Sequence, residues 1–383
     1  MGTGPNEYEQ GCNMYFLTED ERRLLFRKIL PEARAEGVAD DLRGWNWNRP
    51  PLCPIYEGRL SVFEVASQLC ASGRDVYLRR VLGPEGTGRV ARATGRAKNG
   101  DASLYHVARA VVVEAKRIIY EQGALCLPML EMLTRLADGV WNGWAPGLPT
   151  AGGKPGVSAG VGGVYQIGVT SEVGSTTSGE VQARDNGRGV QAAVGVEAKV
   201  ESVADRRAPS ASLLWEFEAR RVLAAVEEVL SKAPALGPDG LVSRALPVVV
   251  GCRLEGSLLG LASSAVDMLM LGTPVPFVAR FGPRRDFHRL IVTGFALMAE
   301  SMWECPVDIG CVAYVRFKEG QVTVERELVF VGDELRQEFV EARDEKMRLV
   351  EEEIDPGLPM ECYKRCGFYG YCHARDHGYN PDR

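Results

Sequence analysis

The stretch 275–331, VPFVARFGPRRDFHRLIVTGFALMAESMWECPVDIGCVAYVRFKEGQVTVERELVFV, decides the fold. It opens on a short apolar run, VPFVARF, bounded by Gly and Pro, which predicts a strand. Asp286 is placed to cap a helix running to about Met302. VDIGCVAYVRFKEG and QVTVERELVFV then predict two more strands joined at the Glu319-Gly320 turn. Upstream, LPVVVGCRLEG and SLLGLASSAVDMLML predict two further strands, with turns at Glu255-Gly256 and Gly272–Pro274. Downstream, a charged helix is expected from Asp333 to about Glu353, closed by Pro356. The order helix, three strands, helix, strand, strand, helix predicts an α/β fold with a mixed, twisted central sheet and helices packed on it.

Further out the signals are helical. Thr18-x-x-Glu21 and Ser61-x-x-Glu64 both match the capping box, which satisfies the first free N–H groups of a helix. The second predicts a helix over about 61–80, with Cys70 near a break at Ala71, Ser72 and Gly73. Helices are also expected over 103–120, with His106 in the first turns, and over 212–230. Residues 143–208 are rich in Gly, Ser and Val without helical period, which predicts a flexible insertion. The chain is thus divided into an N-terminal helical region (1–142), this insertion (143–208), an α/β core (209–332) and a C-terminal helix with a cysteine segment (333–383).

With 383 residues, 45% hydrophobic and 25% charged, the composition is that of a globular protein with a sizeable core. No apolar run of membrane-spanning length occurs, and the N-terminal MGTGPNEYEQG lacks a basic-then-apolar leader pattern. A cytoplasmic location without membrane partners is expected. The net charge of −6 excludes a protein that coats nucleic acid indiscriminately. Yet Arg74, Arg79, Arg80, Arg89, Arg92, Arg96 and Lys98 crowd one short segment, against Asp75 and Glu85. Either a local groove for a phosphate backbone or a solvated basic face accounts for them.

The ten cysteines do not form the dense framework of a secreted disulfide protein. Cys12, Cys53, Cys126, Cys252, Cys305 and Cys311 are scattered in mostly apolar text and read as core. Cys362, Cys366 and Cys372 are different, lying within twelve residues of one another in ECYKRCGFYGYC. A tetrahedral thiolate site needs four soft ligands, so one more must come from elsewhere. Cys70, at the expected end of its helix, is the best donor. Such spacing favours an iron–sulfur site over a zinc ribbon, whose ligands arrive as two close pairs; zinc, and no bound group at all, stay open. Tyr363, Phe368, Tyr369 and Tyr371 are available to shield that site or to stack on bases.

Four blocks carry a family resemblance: DLRGWNWNRPPLCPIY (41–56), CASGRDVYLRRVLG (70–83), DFHRLIVTGFALMAE (286–300) and DELRQEFVEARDEK (333–346). With the early and late cysteines, they resemble the RecB-like nucleases that carry a cysteine-bound 4Fe-4S cluster. Within these, the chain resembles the CRISPR-associated adaptation nucleases of archaea, subtype I-A Csa branch. The resemblance implies a restriction-endonuclease-type core and a cluster on Cys70, Cys362, Cys366 and Cys372 clasping the two ends of the chain. It also implies DNA ends or prespacers as ligand, with the CRISPR integrase and other adaptation proteins as partners.

In that family a helix histidine, a strand aspartate and an acid-x-lysine pair assemble a Mg or Mn site that activates water against a phosphodiester. His106 and Asp267 match the first two positions. The acid falls on Val278 and the lysine on Arg280, while Ile291 and Phe295 stand where a glutamine and a tyrosine are usual. Valine offers a metal no oxygen, and a guanidinium does not replace a lysine cleanly. The resemblance therefore implies vestigial catalytic residues, His106, Asp267 and Arg280, and little or no cleavage. An active nuclease using another carboxylate, such as Glu255 or Asp286, and a zinc-stapled interaction module stay open as alternatives.

Overall fold

The computed structural model describes residues 17–93, 100–123, 209–364 and 366–373. The expected insertion at 143–208, together with Cys12, Cys126, Arg96 and Lys98, lies outside the described residues, as do the side chains of Arg89 and Arg92. Both capping boxes form: Thr18 caps α1 (Glu19–Leu24) and Ser61 caps α3 (Val62–Ala66), each reciprocated by the glutamate three residues on. Between them, α2 (Leu30–Glu36) follows a single wide turn at Leu25–Ile29. After α4 (Arg74–Ala93) come α5 (Gly100–Gln122) and α6 (Pro209–Lys232), which pack on each other. Leu104, Val107, Ala108, Val111, Val112 and Ala115 give α5 its buried face at helical spacing. A short α7 (Pro238–Ala245), which the sequence reading missed, starts with Pro238 in its first turn, where a missing N–H is harmless.

The expected α/β architecture is present as a mixed five-stranded sheet in the order β1-β4-β5-β6-β7, flanked by helices. Its strands are β1 (Val248–Val250), β4 (Met268–Met270), β5 (Val275–Phe281), β6 (Ile309–Lys318) and β7 (Gln321–Phe330). β5 and β6 run parallel and are connected through α8 (His288–Trp303); the other neighbours are antiparallel. The β6–β7 hairpin turns at Glu319 and Gly320 as expected, both with positive φ.

Three expectations fail locally. The two upstream runs are not single strands: Gly251 (φ +60°) divides the first into β1 and β2 (Arg253–Leu254). A 3-10 turn at Ser257–Leu259 and Gly260 (φ +68°) break the second, which supplies β3 (Ser264–Ala265) to a two-stranded sheet and β4 to the main one. Asp286 is not a side-chain cap; α8 is entered from Phe287, and Asp286 contributes only its carbonyl, which accepts from the Arg289 N–H at 3.1 Å. The helix expected over 61–80 stops at Ala66, so Cys70 sits in the turn before α4 rather than on a helix.

The last long helix, α9 (Asp333–Glu351), explains that stop. Its inward face carries Arg336, Arg343 and Lys346, all buried. Lys346 Nζ donates to the carbonyls of Glu64, Val65 and Ser67 at 3.0, 2.7 and 2.6 Å, terminating α3. Arg343 donates to the carbonyls of Leu52 and Leu259 at 2.8 and 3.0 Å. Arg336 forms a fully buried bidentate pair with Glu300 at 2.7 and 2.9 Å, which Arg43 joins at 2.9 Å. These cations hold the irregular 40–73 segment onto the sheet layer. No described helix is long and apolar enough to cross a membrane.

Candidate functional site

Two groups of residues separated in sequence are gathered by this fold. The first is a recess lined by Cys70, Cys362, Cys366 and Cys372, with Arg74 among them. It encloses about 300 Å³ including its open mouth, and Leu69, Tyr363 and Tyr369 complete its wall. The turn carrying Cys70 is fixed from several directions. Lys346 holds the carbonyls before it, Ser72 Oγ donates to the Gly357 carbonyl at 2.9 Å, and the Gly73 N–H donates to the Cys70 carbonyl at 3.0 Å. Gly73 has φ +72°, and a Cβ there would come within 3.2 Å of Leu349, so the turn requires glycine twice over.

On the other side, backbone turns present the triplet. The Cys366 N–H donates to the Tyr363 carbonyl at 2.7 Å, and the Cys372 N–H to the Phe368 carbonyl at 2.8 Å in the short α10 (Tyr369–Cys372). Phe368 is buried beneath them. Arg74 ties the two sides with a bidentate pair to Asp355 at 2.7 Å in each arm. Burial pushes the Cys372 thiol up to about 11; the Arg74 charge opposes this, and Cys366, Cys70 and Cys362 add to it. All four thiols therefore lie within electrostatic reach of one another. Burial likewise lowers Lys346 to about 8, against the pull of Asp75, Cys70 and Glu64. Even so, among the described residues no three His, Cys, Asp or Glu side chains converge tightly enough to grip a single ion. The four cysteines line one recess.

The second group lies where α5 meets the sheet. His106 and Arg109, three residues apart on one helix face, approach Asp267, which immediately precedes β4. Both carboxylate oxygens of Asp267 are engaged: Oδ1 accepts from Arg109 Nη2, and Oδ2 accepts from the Ala279 N–H at 2.8 Å. Burial and then Arg109 lower the His106 pKa, while Asp267 pulls the other way. Val278 is fully buried in the same apolar cluster as Ile291 and Phe295. Arg280, two residues along β5, donates to the Tyr105 hydroxyl at 3.1 Å and to the Ala279 carbonyl at 2.9 Å, over the Phe63 ring.

The other expected residues are dispersed. Arg79 and Arg80 lean on Glu64 at 4.0 and 3.2 Å, and Arg74 belongs to the recess, so the described part of the basic segment is partly neutralised. Glu255 accepts from Ser263 and from the Ser257 N–H, and Asp286 is exposed at the start of α8; neither joins Asp267. Of the cysteines read as core, Cys311 is buried, Cys252 and Cys305 are half-buried, and Cys53 is exposed because its loop turns it outward. Sequence reasoning missed Arg109, Asp355 and Lys346. Only Arg109 left a signal, its spacing of three from His106.

Comparison with known proteins identifies the family. The sequence profile of the family described as CRISPR-associated exonuclease Csa1 matches residues 14–138 and 167–375. A CRISPR-associated exonuclease Csa1 from Saccharolobus solfataricus is 27% identical over 360 residues, covering 94% of this chain and 99% of the relative. Another from Thermoproteus tenax is 25% identical over 352 residues, covering 92% and 97%. No solved structure matches the chain. With both the early and late blocks inside the matched segments, the chain belongs to the CRISPR-associated exonuclease Csa1 family.

Proposed function

We propose that this chain is a CRISPR adaptation protein with a RecB-like core, which binds DNA ends or prespacers for the integrase and cleaves them poorly or not at all. The observation that carries the reading is the saturation of Asp267. A guanidinium and a backbone N–H occupy its two oxygens, and the positions expected to supply the second acid, the glutamine and the tyrosine are packed as Val278, Ile291 and Phe295. Hard divalent ions need several oxygen ligands, so these residues do not fit Mg or Mn. Arg109 puts a fixed positive charge on the carboxylate that a metal would need.

The recess fits its implied group. Four soft donors lining one recess, walled by Leu69 and two tyrosines, are the ligand set that a compact cluster takes. Cys70, Cys362, Cys366 and Cys372 would hold a 4Fe-4S cluster, whose chemistry there is a staple across the chain and a site for electrons. Arg74 and Lys346 offset the negative charge of the thiolates. The division into N-terminal, insertion, core and C-terminal regions is kept as part of this reading.

The test is to incubate anaerobically purified protein with single-stranded DNA and Mn²⁺ beside its Asp267→Ala variant, with iron and sulfide analysis of both. No cleavage above background by either protein, with iron bound in both, is expected. Cleavage by the parent that Asp267→Ala abolishes would overturn the loss of catalysis. A colourless, zinc-loaded preparation would overturn the cluster.

A further inference from the structure

The entry to α8 adds, to the Arg280 of the Asp267 corner, charges that neither group uses. Arg280, Arg284, Arg285 and Arg289 cluster there with His288. Two of the four arginines are neutralised: Arg284 and Arg289 share Glu327 at 2.7 and 2.6 Å, with Glu325 3.7 Å from Arg284. Among the described residues no carboxylate makes an ion pair with Arg280 or Arg285. Each instead lies over an aromatic ring, Arg280 5.2 Å from the centre of Phe63 and Arg285 5.0 Å from that of Tyr363. A ring beneath a guanidinium fixes its plane without neutralising its charge, and leaves N–H groups at the edge for another acceptor.

His288 stands within reach of both charges. It is only 8% exposed, packed against Phe287 and Tyr314, and its Nδ1 is buried without a hydrogen-bond partner among the described residues. Burial, then Arg280, then Arg285 lower its pKa to about 4. The negative groups nearby are turned to other partners: Glu327 to Arg284 and Arg289, with the Tyr314 hydroxyl at 3.3 Å, and Glu325 to Arg316 at 3.2 Å. The exposed Asp286 acts on Arg289. Two guanidinium groups without a carboxylate partner among the described residues, beside a buried ring nitrogen without a hydrogen-bond partner, make one place whose charge suits an anion.

We propose that Arg280, Arg285 and His288 form a phosphate-binding site for a nucleic-acid strand, lying between the Asp267 corner and the cysteine segment. The proposal rests on the DNA-binding reading above and specifies where the backbone is gripped. The geometry favours a strand over a free ion: Arg280 is anchored at Tyr105 on one side and Arg285 at Tyr363 on the other. Phe63, itself 41% exposed, offers a ring face beside the path for an unpaired base.

The experiment measures binding of a fluorescent single-stranded oligonucleotide to the full chain by anisotropy across a salt series, for the parent, Arg285→Gln, Arg280→Gln and Arg285→Lys. In parallel, the His288 ring is followed by NMR in the parent while oligonucleotide or inorganic phosphate is added; only four histidines compete for assignment. Each Gln variant is expected to weaken binding about tenfold and to lower the salt slope by about one, with Arg285→Lys retaining most of the affinity. The oligonucleotide is expected to raise the His288 pKa. Parent-like affinity and slope in both Gln variants, with the oligonucleotide bound and the His288 signal unmoved, would overturn the site and leave DNA binding intact. A shift caused by inorganic phosphate but not by the oligonucleotide would overturn the strand as its ligand. No oligonucleotide binding by the parent at all would overturn both readings. The NMR arm stands even if a variant fails to fold.

Discussion

The cysteine recess and the Asp267 corner are each assembled from distant parts of the chain, and they end in opposite conditions. In the recess, Cys70 meets three cysteines almost three hundred residues later; Arg74, paired with Asp355, lies among them and acts on Cys372, while Lys346 is spent on carbonyls. Space is left among the donors. At the Asp267 corner, Arg109 reaches all the way to the carboxylate, and Val278, Ile291 and Phe295 are packed in the apolar cluster, while His106 stays exposed. Soft donors around a cavity keep a binding role available, whereas a carboxylate whose two oxygens are both engaged serves as a structural contact.

The sharpest way to break this comparison is to remove a thiol. Cys70→Ser and Cys372→Ser are each expected to abolish bound iron in anaerobically purified protein, measured by metal analysis and by the absorbance shoulder near ~400 nm. Retention of full iron by Cys70→Ser would detach that residue from the site.

The next effect concerns the corner. Arg109→Met leaves Asp267 buried without its cation and is expected to cost about 3 kcal/mol in urea unfolding. Asp267→Asn in the same background should recover part of the loss, the non-additivity expected of a direct pair. If the two effects simply add, the pair is not what fills the corner.

The α8 entry, between the two regions, supplies a pH dependence. His288 has an ordinary value of 6.5 and a folded value of about 4, so the fold prefers the neutral ring. Its contribution is complete above pH 6.5 and is lost as pH falls from 6.5 towards 4, by about 3 kcal/mol at most. The stability difference between the parent and His288→Phe should therefore vary over that window and be flat above it. A difference constant down to pH 4 would place His288 outside the buried environment described.

The smallest expected change is at the turn that presents Cys70. Gly73→Ala forces a side chain into positive φ against Leu349 and should cost about 1–2 kcal/mol while lowering iron content. Unchanged stability with full iron would mean that the turn tolerates the strain.

Much of this was legible from local patterns. The capping boxes at Thr18 and Ser61, the β6–β7 hairpin and the long helices α5, α6, α8 and α9 follow from short-range rules, and these formed close to their expected bounds. The residues set apart as candidates, the four cysteines on one side and His106 with Asp267 on the other, also came together. What could not be read were interruptions imposed from a distance. The helix after Ser61 stops at Ala66 because Lys346, some 280 residues later, takes its terminal carbonyls. The run at 257–271 looked like one strand because its apolar residues do not reveal that Gly260 turns the chain between two sheets. The charged text of α9 does not reveal that its arginines at 336 and 343 are buried, each satisfied by carbonyls or a carboxylate contributed by remote segments.

The sequence by itself determined the longest helices, the β6–β7 hairpin, the α/β class and the lack of a carboxylate at Val278, because caps, alternation and the absence of an oxygen in valine are local properties. The tertiary structure decided which charges meet. Arg109 on Asp267, Lys346 beneath the Cys70 turn, and Arg280 and Arg285 without a carboxylate partner among the described residues are outcomes of packing. Coulombic partnership depends on distance and burial in space, and neither can be read from position along the chain.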